Sequence, residues 1–213
     1  MFDVESWLKT GGLALLAAIV FAESGLFFGF FLPGDSLLFV AGFLSSDAGG
    51  NVLPALPITA GVVFIAAFMG DQVGYLFGKR VGPSLFKRPE SRLFSPKNAL
   101  RAQDFFERRG GKAIVLARFV PIVRTFVPIV AGVGEMKYRT FVTYNLIGAA
   151  LWGVGITTLG YFLGEVDFIE KNLEIAAVLI VAISLIPVMF EVRRTRRERR
   201  EEALAEVADT PSV

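Results

Sequence analysis

Residues 117–134 read Ala-Arg-Phe-Val-Pro-Ile-Val-Arg-Thr-Phe-Val-Pro-Ile-Val-Ala-Gly-Val-Gly, and the fold turns on how this stretch meets a membrane. It is apolar enough to enter one, yet it carries Arg118 and Arg124 and is interrupted by Pro121 and Pro128. An arginine at bilayer depth costs about 2.5–3.5 kcal/mol on insertion scales unless it faces a cavity or a partner. Each proline deletes a backbone hydrogen bond and crowds the preceding turn. Irregular backbone at that depth survives only where protein buries it or it lines a water-filled cavity. Together the four residues predict a re-entrant hairpin over residues 113–134 that holds two guanidinium groups inside a membrane protein.

The composition agrees with that setting. Of 213 residues 54% are apolar, and the mean hydropathy is +0.57, as expected of a polytopic, all-α membrane protein. One membrane domain over residues 1–192 is expected, with no separate soluble module. The chain has no cysteine and no histidine, which removes disulfides, thiol chemistry, nitrogen- or sulfur-ligated zinc and every histidine-based catalytic scheme. No metal site and no cofactor are expected. The N-terminus carries Asp3 and Glu5 instead of a basic region, so a cleavable signal peptide is not expected.

Working outward, residues 1–10 read as a short interfacial segment with Phe2, Trp7 and Leu8 as anchors. Residues 11–32 are apolar with Glu23 as the only charge, followed by the turn signal Pro33-Gly34-Asp35-Ser36 and a short apolar arm over 37–44. That arm is too short to cross alone, since about 20 residues are needed. The region is either one span with a loop or a hairpin over residues 11–46, and the hairpin is the preferred reading. Residues 58–78 form a spanning segment containing Asp71, and residues 138–164 and 173–190 form two more. Between them, residues 86–112 carry eight Lys/Arg against three acids and predict a cytoplasmic amphipathic segment. The tail, residues 193–213, opens with six arginines and one acid in residues 193–200. It is expected to be cytoplasmic and disordered, to set orientation and to bind anionic lipid.

Counting back from that tail gives the topology. Residues 173–190 run outward to inward, so 138–164 run inward to outward, and both ends of 113–134 lie on the cytoplasmic face. That segment therefore cannot cross. The same counting brings the first hairpin in from the opposite side. Two hairpins, each followed by a span and inserted from opposite faces, form an inverted-repeat pattern.

Glu23, deep in an apolar run without a local cation, reads as a proton carrier or counter-ion. Asp35 reads as the N-cap of the second hairpin arm, a role that would also place a carboxylate at the hairpin tip. Arg118 and Arg124, six apart, would lie on different faces of an unbroken helix. Pro121 breaks that register, so both can point into one cavity. Arginine forks suit phosphate oxygens; the structural alternative is that they only neutralise Glu23 and Asp35 to hold two hairpins together. Asp71 is expected to pair with Lys79 or Arg80. Asn145, Gly148 and Trp152 follow small-residue spacing and are read as helix contact more than chemistry. Pro33, Gly34, Asp71, Pro121, Pro128 and Asn145 are thus supporting residues.

Phe-Leu-Pro-Gly-Asp ending at Asp35, Gly-Asp-Gln-Val-Gly-Tyr ending at Tyr75, Phe-Phe-Glu-Arg-Arg-Gly-Gly-Lys ending at Lys112, and Ala-Arg-Phe-Val-Pro-Ile-Val-Arg-Thr, taken with Glu23, resemble the DedA family of bacterial membrane proteins, in the wider group that shares the VTT domain. The resemblance covers roughly residues 23–164. It implies two facing re-entrant hairpins in a bacterial inner membrane, movement of phospholipids or undecaprenyl phosphate between leaflets, and dependence on the proton gradient. It also implies two acids and two arginines as functional residues, matching Glu23, Asp35, Arg118 and Arg124. The arginine-rich tail is outside the motif.

The reading is a proton-gradient-dependent lipid translocase rather than an enzyme, with no catalytic residue. Its substrate is undecaprenyl or another polyprenyl phosphate, or a phospholipid such as phosphatidylethanolamine. Arg118 and Arg124 bind the phosphate while Glu23 and Asp35 compete for them and take up protons. Expected partners are that lipid, protons, anionic lipid at the tail and, as an option, a second copy of the chain in a homo-oligomer; nucleic acid is not expected. The alternatives are a proton-coupled cation or drug exporter and a non-transporting membrane assembly factor. Gly34-Asp35 and Gly70-Asp71 superficially suggest paired intramembrane-protease aspartates, but that leaves the arginines unexplained.

The charge pattern makes a topological prediction. Single cysteines at Lys97, Lys112, Glu135 and Arg196 are expected to label only from the cytoplasmic side. External labelling at Lys112 or Glu135 contradicts a hairpin over 113–134.

Overall fold

A computed structural model describes residues 4–25, 34–85 and 110–164. All regular elements among them are helical: α1 (Val4–Gly25), α2 (Gly34–Phe43), α3 (Leu56–Leu85), α4 (Lys112–Ala117), α5 (Pro121–Val133), α6 (Tyr138–Ala149), a π-helical turn (Ala150–Val154) and α7 (Gly155–Leu163). Pro33, most of the amphipathic segment 86–112, the span expected at 173–190 and the tail 193–213 lie outside the described residues.

Among the described residues three helices are long and apolar enough to cross a membrane: Leu8–Gly25, Leu56–Gly82 and Tyr138–Leu163. The last two coincide with expected spans. The first is a difference, because the helix starts before the expected hairpin and joins the interfacial segment to it. It is not straight, however. Gly12 has φ 56° and ψ −151°, a conformation essentially reserved for glycine.

The break after Arg118 has a local cause. Val120 is extended, with φ −110° and ψ 108°, as the residue before a proline prefers. Pro121 then opens α5, where its fixed φ fits and its missing N–H costs nothing. Pro128 sits inside α5 and removes the N–H that would have bonded the Arg124 carbonyl. The turn carrying Arg124 is therefore loosened.

The helices pack in a crossed arrangement. Helix α1 lies against α3 and α4 against α6, whereas α2 packs on α7 and α5 on α3. The crossed contacts are backbone-close: a Cβ on Gly42 or Gly160 would overlap the α2–α7 partner, and one on Gly78 or Gly132 would overlap the α3–α5 partner. Small residues that let helices touch are the usual device where lipid supplies no hydrophobic drive. Helix α2 is buried all round apart from Ser36, so it behaves as a core helix. Its Leu37, Leu38 and Phe39 join Leu16, Val20, Val63 and Trp152 in one apolar core, while Tyr75, Ile114, Val127, Ala131 and Phe141 form a second. Facing away from both, Ile58, Ile65, Met69, Leu76 and Phe77 of α3, with Leu151, Leu159 and Phe162, are exposed, as a lipid-facing surface should be.

Candidate functional site

Among the described residues five charged side chains are buried, where the two cores meet: Glu23, Asp35, Asp71, Arg118 and Arg124. Each comes from a different place in the fold, and none could sit there unpaired without a large desolvation penalty. Arg124, in the first turns of α5, donates from Nη1 to Asp35 Oδ1 at 2.6 Å and from Nη2 to Glu23 Oε1. Both carboxylates lie about ninety or more residues away, 89 and 101 positions earlier. Glu23 is fully buried near the end of α1, and Asp35 stands in the first turn of α2. Gly34 leaves room for the Glu23 carboxylate, which a Cβ at this position would overlap.

Arg118, at the end of α4, makes the second centre. Its Nη1 donates to Asp71 Oδ2 at 2.6 Å and to Asn145 Oδ1 at 2.6 Å. The Asn145 amide in turn donates to the Phe68 carbonyl at 3.2 Å. A Cβ on Gly148 would come within 3.3 Å of Arg118 Cδ, so that glycine makes room for the side chain.

Trp152 joins the two centres. Its indole N–H donates to Asp35 Oδ1 at 2.7 Å. The guanidinium carbons of Arg124 and Arg118 lie 4.7 and 5.6 Å from its ring centroid, both within cation–π range. Beside the arginines, Asp71, Ile114, Val127 and Pro128 line a crevice with room for about one water molecule. Among the described residues Arg118 Nη2, Arg124 Nε and Glu23 Oε2 have no hydrogen-bond partner.

The structure brings together Glu23, Asp35, Arg118 and Arg124, with Gly34, Asp71, Pro128 and Asn145 around them. Four expectations change. Asp35 lies inside the first turn of α2 with its carboxylate on Arg124 and Trp152, so it is not the N-cap that its place after Pro-Gly suggested. Asp71 pairs with Arg118 and not with Lys79 or Arg80, which lie eight and nine positions along the same helix, about 12 Å or more of rise away. Asn145 and Gly148 face an arginine where their spacing suggested a helix-packing stripe. Trp152 belongs to the charged cluster; the available signal was its place in mid-span, since tryptophans of membrane helices concentrate at the interfaces. Gln72 is a further omission: it is buried, and neither of its amide atoms has a partner among the described residues.

A family model described as the VTT domain matches residues 32–162. Protein DedA of Escherichia coli K12 is 45% identical over 184 residues, covering 86% of this chain and 83% of its own. An uncharacterized membrane protein of Mycobacterium tuberculosis H37Rv is 42% identical over 210 residues, covering 94% and 89%. The inner membrane protein YghB of Salmonella typhimurium is 33% identical over 158 residues, covering 74% and 70%. No solved structure matches significantly.

The second centre makes a stability prediction. Asp71→Leu strands the Arg118 charge and is expected to cost about 3–5 kcal/mol, read as a lowered Tm in detergent. Adding Arg118→Met should recover most of that loss, while Lys79→Met should recover none. Rescue by Lys79→Met instead would overturn the Asp71–Arg118 pairing.

Proposed function

This chain belongs to the DedA family of membrane proteins and carries its VTT domain, and from that premise we propose that it translocates a lipid with a phosphate headgroup across a bacterial inner membrane, driven by protons. The substrate class is a polyprenyl phosphate such as undecaprenyl phosphate, or a phospholipid such as phosphatidylethanolamine. No catalytic step is assigned to it.

One observation carries the reading. Two carboxylate oxygens from separate helices sit on the two terminal nitrogens of Arg124, as two oxygens of one phosphate would in a bidentate pair. The carboxylates thus occupy the positions that a headgroup would need. Arg118 Nη2 and Arg124 Nε, both buried without a partner, are further donors; an unsatisfied buried donor costs about 1–3 kcal/mol, which an incoming oxygen would relieve. Phosphate entry requires the carboxylates to leave, and a carboxylate released into this apolar site is most readily accommodated with a proton. Proton and lipid are coupled through that shared arginine.

The architecture supports re-entrant hairpins. Helix α2, at ten residues, is too short to cross, and α4 and α5 are divided at Val120. Crossed packing of α2 on α7 and of α5 on α3 is what an inverted repeat would produce, each hairpin arm resting on the span of the other half. A second reading, a proton-coupled cation exporter, draws on the three buried acids against two arginines.

Headgroup movement in vesicles containing only this protein and a polyprenyl phosphate tests the proposal. Wild type is expected to expose the phosphate to an outside reagent in time, and Arg124→Lys, which keeps charge but loses the fork, to slow it by about 10–100-fold, the worth of one charge-assisted hydrogen bond. Equal rates with Lys at both Arg118 and Arg124 would refute fork recognition of phosphate; cation efflux without headgroup movement would favour the exporter.

A further inference from the structure

Three carboxylates already serve two arginines in this cluster, yet both guanidiniums also rest on Trp152. The ring differs from a carboxylate in one respect that matters here. A carboxylate stabilises arginine by occupying its N–H groups, so it must leave before phosphate can bind. An aromatic face attracts the cation through its ring quadrupole and leaves the in-plane N–H groups free for other acceptors.

We propose that Trp152 is the positioning residue of the site, a neutral platform that keeps both guanidiniums in place while carboxylate and phosphate oxygens exchange on their N–H groups. Its own N–H holds Asp35 on Arg124 until that exchange takes place. The inference rests on the phosphate-binding reading above and adds the residue that organises it.

Three independent features support the role. Trp152 is 1% exposed, so its ring is fixed by the core. Its indole nitrogen has a specific partner, Asp35, from the other half of the chain, 117 positions earlier. The backbone beneath it is a π-helical turn, Ala150–Val154, set between two α-helical segments. Such turns give up regular helical bonding, re-aim side chains and concentrate at functional sites. Packing alone would not require that cost. The turn also sits tightly on α3, where a Cβ on Gly153 would come to 3.0 Å from Val63 Cγ1, so the platform is anchored to a spanning helix.

The chain has two tryptophans, so Trp7→Phe leaves Trp152 as the sole indole reporter. The protein is prepared with 15N-labelled indole in maltoside micelles and titrated with undecaprenyl phosphate, or with undecaprenol as the phosphate-free probe. Retained lipid is measured in parallel. The phosphate lipid is expected to bind and to shift the Trp152 N–H resonance as Asp35 leaves, whereas undecaprenol leaves it unmoved. Trp152→Leu should weaken phosphate-lipid binding about tenfold, within the cation–π range. Trp152→Phe, which restores a ring without the N–H, should recover most of it. Binding without any shift of the resonance, or Phe no better than Leu, overturns the platform while the phosphate reading stands. Absence of phosphate-lipid binding by the Trp7→Phe protein overturns both. If Trp152→Leu does not fold, the resonance shift and Trp152→Phe still decide.

Discussion

The rest of the structure depends on the fork of Arg124 being held by Glu23 and Asp35. A buried guanidinium without partners would cost several kcal/mol, and the two acids reach it from α1 and α2 only because three chain features converge. Gly34 leaves room for the Glu23 carboxylate. The short helix α2 begins at that point with Asp35 in its first turn. Pro121 and Pro128 open and loosen α5 around the arginine. A short helix such as α2 is well suited to this, because its first turn delivers a carboxylate to the middle of an apolar protein.

The second centre repeats that logic with different partners. Arg118 is balanced by Asp71 on α3 and by Asn145 on α6, whereas Arg124 is held by Glu23 on α1 and Asp35 on the short helix α2. Trp152, touching both arginines, sits where the two sets of contacts meet.

Much of the fold was legible because its signals are local. Proline chemistry marked the break between α4 and α5, apolar length marked the spans that became α3 and the α6–α7 helix, and Pro-Gly-Asp marked the start of α2. Glu23, Asp35, Arg118 and Arg124 stood out as charges where charge is expensive. Their partners did not, because pairing is a property of the folded chain: Asp71 meets Arg118 across 47 positions and Asn145 meets it across 27. Local helix geometry pointed Asp71 toward Lys79 instead. Trp152 was hidden by its spacing from Asn145 and Gly148, and Gly12 by an apolar run that carries no sign of a kink. Gln72 has no sequence signature beyond its neighbour Asp71.

What remains central is competition: one guanidinium, two classes of oxygen. If a proton and a phosphate trade places at Arg124, then Glu23, bound to that arginine through one oxygen with the other unpaired, should link transport to pH. The measurement is lipid flipping in proteoliposomes from mildly acidic to mildly alkaline pH, wild type against Glu23→Gln, with phosphate-lipid binding measured alongside. Wild-type flipping is expected to vary with pH, and Glu23→Gln to bind lipid nearly as well while its rate becomes flat across that range. A mutant with an unchanged pH profile would contradict coupling through Glu23 and transfer the role to Asp35.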